Sequence, residues 1–598
     1  MKRRILCLLL AILMVLPLLT ACNKNGKPVD IVKKGESSYT VIYSDDKSAI
    51  EEKAAATKLR DAINTATEVK LKLDTDWAPE SEFEIIVGTT KREATKNALT
   101  LIREKDFIIS YANGKVVVTG GNAAATARAV DYFIETYINA DKKKVTVFDG
   151  GDYIGKYDYM LGDLSVSGVP LSKYTIVYPD GADKTDKITY YIAVNLYDYL
   201  LNNAGIKLNM VSDKTAESEY EILVGNTNRG ESRAVDTTTL AADEYILYQN
   251  GKKIVMLGNS YMLGGAASAL VNKYFVSKGT NAAVDIALPV NGLAEKFTFQ
   301  KATSALLLIG DGMGFEHVQA GIAAGLNEFV AERLPYKSSC ITASQSVLDG
   351  TAEYTDSAAA ATALATGHKT VNYYVGKKAD GTNVKNIREL AHSTGAKTAI
   401  LTTAAITDAT PAAFLAHAGD RYDESIATDI DKLIAEGGVT YVKGDTNSLT
   451  KVREETLIDY TREALATVSE GNGKFFTMIE EAHVDKNSHK VQSGARTLAD
   501  VQNSVKCYNE VIAYAIGFTM MHPSTALIVT ADHECGKLDF NELTGAYRFD
   551  SDNHSNANVP LFGLGDGIAE LIGSKTEVDN TEIAKFIAKI YGDNNFGA

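Results

Sequence analysis

Histidine is absent from the first 300 residues of this 598-residue chain, and all nine histidines lie between His317 and His554. Metal chemistry commonly needs imidazole, which is the most frequent metal ligand among the side chains. The first half of the chain does not offer it. The sequence therefore predicts that any metal-dependent catalysis is confined to the second half.

Cysteine and basic side chains are also scarce. After Cys22 the only cysteines are Cys340, Cys507 and Cys535, an odd and sparse set that excludes a disulfide framework. Sixty-one Lys and Arg face 76 Asp and Glu, which gives a formal net charge of −15. A nucleic-acid-binding protein needs a basic footprint, so that class is excluded. If the substrate is an anion, cations near the site must attract it.

A strongly apolar segment stands at the N-terminus, where Lys2, Arg3 and Arg4 precede a run from Ile5 to Leu19. The run is short for a membrane span of about 20 residues and ends in small residues, as a signal peptide does. A short transmembrane anchor is the alternative. The sequence around Cys22, Leu-Thr-Ala-Cys, resembles a bacterial lipoprotein box. We therefore expect a signal peptide over 1–21, lipid on Cys22 that anchors the secreted protein to the outer, extracytoplasmic face of a bacterial membrane, and a polar tether over 22–38.

Residues 39–150 and 151–298 repeat one pattern at a constant offset. Each copy predicts an opening strand, a helix, a second strand, an Asn-Gly hairpin and a closing helix, hence two α+β modules. They weakly resemble the accessory domains of some bacterial glycoside hydrolases, so contact with glycans is expected and a part in the chemistry is not. The recurring residues are Glu84, Gly88, Thr90, Arg92, Asp106, Asn113 and Gly121, matched by Glu221, Gly225, Thr227, Arg229, Asp243, Asn250 and Gly258.

Residues 299–598 alternate short apolar runs with helical stretches, which is typical of a parallel sheet covered on both faces. Carboxylates follow the runs, and sites in open α/β sheets form at the carboxyl ends of the strands. The predicted strands are Ser304–Ile309, Thr398–Thr402, Phe475–Ile479, Thr525–Val529 and Val559–Leu564, and the carboxylates are Asp311, Asp408, Glu480 and Asp532.

Ser357 begins an alanine-rich stretch, Ser-Ala-Ala-Ala-Ala-Thr-Ala, that predicts a helix. A serine in the first turn lies among free amide groups that favour negative charge. It can instead be only an N-cap. No Gly-x-Ser-x-Gly elbow surrounds Ser357, so a metal is the available activator of its hydroxyl.

Metal-ligating residue types recur in the second half. Asp485 and His489 are spaced i and i+4, which places them on one helix face, whereas His483 points elsewhere and is expected to be structural. Aspartate and histidine sets suit zinc. A threonine hydroxyl with carboxylates, as Thr410 and Glu480 offer, suits magnesium.

Five separated motifs together resemble the alkaline phosphatase family, in that family's order, from about residue 300 to the C-terminus. The resemblance implies a three-layer α/β/α domain that hydrolyses phosphate monoesters with two Zn²⁺ and one Mg²⁺. The motifs are Ile309-Gly-Asp-Gly-Met-Gly314, Thr355-Asp-Ser-Ala-Ala-Ala-Ala-Thr362, Asp408-Ala-Thr-Pro-Ala-Ala413, Glu480 with Asp485 and His489, and Thr530-Ala-Asp-His533.

The same resemblance implies a role for each matching residue. Ser357 is the nucleophile that forms a phosphoserine, and Arg421 clamps the phosphate. One zinc is held by Asp311, Asp532 and His533, and the second by Asp485, His489 and His554. Magnesium is held by Asp311, Thr410 and Glu480. Asp408 and Lys486 lie near the magnesium and the phosphate and contact the residues that bind them.

Several alternatives stay open. Within the superfamily, a phosphodiesterase or a sulfatase is the rival, although the sulfatase pattern Cys-x-Pro-x-Arg is absent at Ser357 and diesterases typically use threonine there. A surface glycan-binding protein with a secondary phosphatase domain is another. Arg421 can form a surface salt bridge with Asp420 or Asp423, and Cys535 can be a small packed residue or a soft ligand. The natural substrate and the oligomeric state are open as well.

Overall fold

The computed structural model describes residues 26–46, 49–279, 282–444 and 453–598. They form two compact units: the first runs to Tyr159 and includes Gly205–Lys207, and the second comprises Met160–Ala204 and Leu208–Ala598. The predicted signal peptide and Cys22 lie outside the described residues. Among the helices of the described part, none has the length and apolar character needed to cross a membrane.

The first unit contains a six-stranded mixed sheet, in the order β3-β2-β4-β6-β5-β9 among the described residues, and a small antiparallel sheet, β1-β8-β7. Its strands are β1 Lys27–Val32, β2 Thr40–Tyr43, β3 Lys72–Thr75, β4 Glu84–Val87, β5 Phe107–Ala112, β6 Lys115–Gly120, β7 Ile138–Asn139, β8 Lys144–Asp149 and β9 Tyr153–Gly155. Its helices are α1 Ile50–Thr67, α2 Glu93–Leu99 and α3 Ala123–Tyr137.

Two boundaries differ from the sequence-based expectation. Residues 27–32 of the expected tether form β1, which pairs with β8 and buries Ile31 and Val32 in the core. The first module also extends past residue 150, because β9 adds an edge strand to β5. Strands β1 and β9 are short and partly polar, so their sequences do not predict strands. They become strands because they pair with β8 and β5.

The second unit opens with a sheet whose order, β13-β12-β14-β16-β15-β18, corresponds strand for strand to the six-stranded sheet of the first unit. The strands of this region are β10 Leu164–Val166, β11 Val169–Pro170, β12 Thr175–Tyr178, β13 Asn209–Ser212, β14 Glu221–Val224, β15 Glu244–Asn250, β16 Lys253–Gly258, β17 Val284–Ile286 and β18 Ala294–Lys296. Strands β10, β11 and β17 form a separate three-stranded sheet. The helices are α4 Ala182–Thr185, α5 Lys187–Ala204, α6 Gly230–Arg233 and α7 Leu263–Ser268, the last continued by π-helical Ala269–Phe275.

The recurring Glu and Arg of the two modules form buried ion pairs. The Arg92 guanidinium donates to both carboxylate oxygens of Glu84, at 3.1 and 3.0 Å, and Arg229 donates to Glu221 at 3.1 and 3.2 Å. A buried charge needs such a partner, which explains why both residue types recur together. These carboxylates are engaged inside the modules.

The largest sheet of the described residues contains eight strands, in the order β22-β21-β23-β19-β24-β29-β20-β30. The strands of this region are β19 Ser304–Gly310, β20 Tyr336–Ile341, β21 Lys397–Thr402, β22 Tyr441–Lys443, β23 Phe475–Glu481, β24 Thr525–Thr530, β25 Glu534–Cys535, β26 Leu538–Asn541, β27 Ala546–Phe549, β28 His554–Ser555, β29 Val559–Leu564 and β30 Glu577–Asp579. The helices are α8 Phe315–Ala323, α9 Gln345–Leu348, α10 Ser357–Thr366, α11 Ile387–Ser393, α12 Ala409–Leu415, α13 Ser425–Ala435, α14 Leu457–Ser469, α15 His483–Ser488, α16 Leu498–Met521, α17 Ile568–Leu571 and α18 Asn580–Ile590.

The predicted α/β class and the five predicted strands are confirmed, and the sheet is covered by helices. Central strand β19 is buried along its whole length. The expectation of a fully parallel sheet is wrong at β29, which runs antiparallel to both β24 and β20. The chain between β24 and β29 contains short hairpin strands and no crossover helix, and a connection that stays at one end of a sheet returns antiparallel.

Helix α5 of the second module packs against α16 of the sheet domain. Asn195 donates to the backbone oxygens of Tyr191 and Tyr514, at 2.7 and 3.0 Å. A side chain at Gly517 would meet Asn195, because an added Cβ would lie 2.6 Å from its amide nitrogen. The second module and the sheet domain therefore belong to one compact unit, whereas the sequence suggested a boundary at residue 298.

Candidate active site

The carboxyl ends of the central strands lie level with one another. Ile309 of β19 is in register with Glu480 of β23 and with Thr530 of β24. Asp311 lies two residues after Ile309 and Asp532 two residues after Thr530, so these two carboxylates and that of Glu480 converge at one edge of the sheet. The predicted gathering of acids at the strand ends is found in the structure.

Ser357 is the first residue of α10, and its side chain is buried. The N-cap of this helix is Asp356, whose carboxylate accepts a hydrogen bond from the Ala359 amide at 3.1 Å. Because Asp356 caps the helix, the Ser357 hydroxyl remains available. Its Oγ lies 3.1 Å from Nε2 of His533.

Asp311, Asp532 and His533 form a first group of metal-ligating atoms, all within 4.8 Å of one another. His533 Nε2 lies 3.2 Å from Asp532 Oδ2 and 3.6 Å from Asp311 Oδ1. Asp532 Oδ1 accepts the backbone amides of Gly312 and His533. In the described part of the chain, Asp532 Oδ2 and Asp311 Oδ1 are buried without a hydrogen-bond donor.

Burial makes negative charge costly in this first group. Burial, together with the charges of Asp532 and Asp485, raises the pKa of Asp311 well above its usual range. Burial likewise raises the pKa of Asp532 to about 6. Burial lowers the pKa of His533 well below its ordinary value, so its imidazole is neutral. Two buried carboxylates beside a neutral imidazole fit a divalent cation, whose charge would keep both carboxylates ionised.

Asp485, His489, Cys535 and His554 form a second group, again within 4.8 Å of one another. Asp485 Oδ1 lies 3.2 Å from His489 Nε2 and 3.4 Å from His554 Nε2, and the two Nε2 atoms are 3.0 Å apart. Burial alone would raise the pKa of Asp485, but hydrogen bonds from the protonated forms of the two imidazoles hold it well below its usual range.

The tautomers of these histidines follow from their backbone contacts. His489 Nδ1 donates to the carbonyl oxygen of Asp552 at 2.5 Å, and His554 Nδ1 donates to that of Thr355 at 2.9 Å. In the neutral form of each ring, Nε2 therefore carries a lone pair. The two Nε2 atoms lie close to each other and to Asp485 Oδ1. Backbone carbonyls commonly orient metal-bound histidines in this way. Three convergent lone pairs fit a cation.

Thr410 and Glu480 each have a buried side-chain oxygen of the kind that the third predicted metal, magnesium, would need. Thr410 is in the first turn of α12, and its Oγ1 is buried without a hydrogen-bond partner in the described residues. Glu480 Oε2 accepts a hydrogen bond from Thr402 Oγ1. Burial raises the pKa of Glu480 to about 7. A buried hydroxyl without a hydrogen-bond partner and a buried carboxylate are oxygen ligands of the kind that magnesium binds.

Arg421 lies against the residue that precedes Ser357. Its guanidinium contacts Asp356 Oδ2 at 3.4 Å and Asp408 Oδ1 at 3.0 Å, and Lys486 Nζ contacts Asp408 Oδ2. Burial opposes its charge, yet Asp408 and Asp356 raise the pKa of Arg421. Arg421 therefore points into the site, whereas the alternative from sequence was a surface pair with its chain neighbours.

Gly312 adopts a left-handed backbone with φ of 74°. A Cβ at this position would lie 2.8 Å from both Cα and Cβ of Asp485. The glycine of the Gly-Asp-Gly motif thus permits the turn after β19 to approach α15. This approach brings the two ligand groups together.

The structure distinguishes His483 from the histidines of the two ligand groups. His483 lies 3.5 Å from Glu481 and outside both ligand groups, as expected of a structural histidine.

Sequence reasoning missed Asp356, which both caps α10 and holds Arg421, and Thr402, which binds Glu480. The Asp before Ser357 carried a usable signal, since aspartate is a preferred N-cap.

Comparison with known proteins places this geometry in context. Residues 302–443 match the family model described as Alkaline phosphatase. Alkaline phosphatase 3 of Bacillus subtilis (strain 168) is 24% identical over 333 residues, covering 46% of this chain and 70% of the relative. Alkaline phosphatase of Escherichia coli (strain K12) is 31% identical over 221 residues, covering 35% of this chain and 45% of the relative.

Two further similarities are narrower or structural. Streptomycin-6-phosphate phosphatase of Streptomyces griseus is 39% identical over 124 residues, covering 20% of this chain and 28% of the relative. The solved alkaline phosphatase of the Antarctic bacterium TAB5 is 25% identical with a TM-score of 0.43, and the match covers 49% of this chain and 99% of that one. The segment at residues 302–443 therefore matches the alkaline phosphatase family, as the motifs of the C-terminal half predict.

Proposed function

We propose that this alkaline phosphatase-like hydrolase cleaves phosphate monoesters through a phosphoserine on Ser357, with two Zn²⁺ and one Mg²⁺. One observation carries the proposal: the Ser357 hydroxyl stands at the N-terminus of α10, 3.1 Å from His533, beside Arg421 and two groups of convergent ligand atoms. Phosphoryl transfer needs such positioning and charge neutralisation.

The donor sets divide among the three ions. When bound, the metals supply positive charge for the phosphoryl oxygens and lower the pKa of the attacking hydroxyl and water. The residues that would hold them are Asp311, Asp532 and His533 for one zinc, Asp485, His489 and His554 for the other, and Asp311, Thr410 and Glu480 for magnesium.

The chain's own residues then carry out a double displacement. Ser357 Oγ loses its proton and bonds to phosphorus, while the bond between phosphorus and the alcohol oxygen breaks and that oxygen gains a proton. Water next attacks the phosphoserine, the Oγ–P bond breaks, and Ser357 regains its proton as phosphate leaves. Ser357 thus ends each cycle unchanged.

Arg421 and helix α10 bind the anion during both steps. The guanidinium, held by Asp356 and Asp408, offers paired N–H donors to two phosphoryl oxygens. The free amides at the start of α10 favour the same negative charge. Lys486 contacts Asp408 and fixes the carboxylate that positions Arg421.

For the location, the proposal is lipid attachment at Cys22 on the outer face of a bacterial membrane. It is supported by the Leu-Thr-Ala-Cys pattern after a short apolar run. Labelling with a fatty-acid analogue should mark the wild type and leave Cys22→Ala unlabelled. A labelled Cys22→Ala variant would refute lipidation there.

Glycan contact by the modules is tested by binding of the protein to polysaccharide beads.

The activity is tested with nitrophenyl esters of one leaving group: a phosphate monoester, a phosphate diester and a sulfate. We expect the monoester to be hydrolysed at least about a hundredfold faster than the others, since Arg421 and three cations suit a dianion. Metal analysis of the same protein should show zinc and magnesium, and chelation should abolish turnover.

Ser357→Ala tests the nucleophile, with Ser393→Ala on α11 as the control serine outside the site. The Ser357 variant should retain its metals and lose turnover by about 10³-fold or more. Acid quenching with labelled phosphate should mark Ser357 in the wild type. A preference for the diester would instead favour the phosphodiesterase alternative, and a label on another residue would refute the phosphoserine.

A further inference from the structure

Cys535 lies among metal-ligating atoms that the proposed zinc sites do not use. It is in β25, opposite His554 of β28, and is fully buried. Its Sγ lies within 4.8 Å of the ligand atoms of Asp485, His489 and His554. Its own contact within the protein is weak, with Sγ 3.9 Å from the backbone oxygen of Asp485.

The surroundings of Cys535 are those of a ligand. The ligand atoms of a carboxylate and two imidazoles lie within 4.8 Å of its Sγ, whereas a cysteine that only fills space packs against apolar groups. Asp485 is 7% exposed, and in the described part of the chain its Oδ1 has no hydrogen-bond donor. His489 and His554 donate through Nδ1 to backbone carbonyls, so their Nε2 lone pairs face the same point.

We propose that Cys535 is a fourth protein donor to the metal site of Asp485, His489 and His554, and that its sulfur makes this site selective for a thiophilic divalent ion such as Zn²⁺. The inference rests on the metal dependence in the proposed function. On binding, the thiol proton passes to solvent and the thiolate bonds to the ion. Four protein donors would still leave a position for a water or substrate oxygen, because zinc can expand to five ligands.

The selectivity follows from ligand softness. Thiolate ligands favour zinc, whereas magnesium requires oxygen ligands. In the first group, Asp311, Asp532 and His533 offer no sulfur, so only the second group would gain selectivity for zinc from a thiolate. Replacing Cys535 should therefore weaken zinc binding at one group only.

The test uses zinc-loaded and cobalt-loaded full-length protein. The X-ray absorption spectrum of the bound zinc should be fitted only when one sulfur neighbour per chain, at about 2.3 Å from zinc, is included with the nitrogen and oxygen neighbours. Cobalt-loaded protein should show a thiolate-to-cobalt charge-transfer band. Both signals should vanish in Cys535→Ser and persist in Cys340→Ser, which alters another fully buried cysteine in β20.

Zinc titration gives an independent readout. Cys535→Ser should raise the dissociation constant of one zinc by about tenfold or more and leave magnesium binding unchanged. Circular dichroism verifies folding, and Cys535→Ala replaces the serine variant if that variant unfolds. The wild-type X-ray absorption decides the question even if both variants fail.

The outcomes separate this inference from the proposed activity. Zinc bound without sulfur, or a cobalt band that persists in Cys535→Ser, overturns the fourth donor whatever the enzyme hydrolyses. Failure of the protein to bind zinc overturns it too. Zinc–sulfur scattering in a protein that hydrolyses no phosphate ester would support the donor and refute the proposed activity.

Discussion

Asp198 of the second module accepts two hydrogen bonds from the Arg462 guanidinium of α14, at 2.9 and 2.8 Å. The Tyr514 hydroxyl of α16 also donates to Asp198, at 3.0 Å. A paired guanidinium and carboxylate is the strongest form of ion pair, and this one is largely buried on the aspartate side. It joins the module to two helices of the sheet domain.

Asp198→Asn should destabilise the protein by about 1–3 kcal/mol, because a partly buried guanidinium loses its charged partner. Denaturant unfolding measures the change. Asp180→Asn, at an exposed pair with Lys214, is the matched control and should stay within about 0.5 kcal/mol of wild type. Equal effects of the two changes would show that the Asp198 pair contributes nothing specific.

Removal of the second module should destabilise the sheet domain. A fragment that begins at residue 300 exposes the face of α16 that α5 covers, including Gly517 and Tyr514. We expect its unfolding temperature to fall by about 5 °C or more relative to a fragment that begins at Met160. Thermal unfolding and sedimentation compare the two fragments, and equal stability would show that the sheet domain folds independently, as the sequence suggested.

Gly312→Ala should disrupt metal binding, because its Cβ would lie 2.8 Å from Cα of Asp485. Gly350→Ala is the control: its φ is 70° and no atom lies within 4 Å of the added Cβ. Both changes strain the backbone by about 1–2 kcal/mol, but only Gly312→Ala displaces a ligand residue. Zinc titration should show about tenfold weaker binding for Gly312→Ala alone. Normal zinc affinity in that variant would contradict the packing argument.

Arg421→Lys should reduce kcat/KM for a phosphate monoester by about 10–100-fold, since lysine cannot form a paired hydrogen bond to two oxygens. Competitive inhibition by inorganic phosphate should weaken as well. Arg496→Lys, at an exposed pair with Asp500, is the control and should leave both constants unchanged. Unaltered phosphate inhibition in Arg421→Lys would remove Arg421 from the anion site.

The pair of His417 and Glu389 predicts a pH dependence of stability. His417 Nε2 lies 3.1 Å from Glu389 Oε1, and its Nδ1 donates to the Gly376 oxygen at 2.7 Å. Burial opposes the charge of His417, but Glu389 and Gly376 raise its pKa. Burial opposes the charge of Glu389 as well, but His417 and the Asn386 amide lower its pKa.

The sign follows from these directions. The histidine contribution is complete below its unfolded pKa of about 6.5 and is lost as the pH rises through the raised folded value; the glutamate contribution is complete above about 4.3 and is lost on acidification. Glu389→Gln, which can still accept the Asn386 amide, should therefore cost about 1 kcal/mol near pH 5.5 and less near pH 8. Unfolding curves at both pH values measure this, and a larger cost at pH 8 would contradict it.

Much of the site could be predicted from residue order alone. Strand ends, an alanine helix behind Ser357, and the i, i+4 spacing of Asp485 and His489 are local features. Local backbone preferences and the period of a helix determine such features without reference to distant residues. The strand register then brings Asp311, Glu480 and Asp532 together, because parallel central strands end at one edge.

Only the tertiary structure decided which groups meet from distant parts of the chain. Asp356 rather than Ser357 caps α10, Arg421 pairs with Asp356 and Asp408, and Cys535 lies among Asp485, His489 and His554. The antiparallel direction of β29 and the packing of α5 on α16 belong to the same class. Each depends on contacts between residues far apart in sequence, and such contacts leave no local periodicity or propensity from which they could be read.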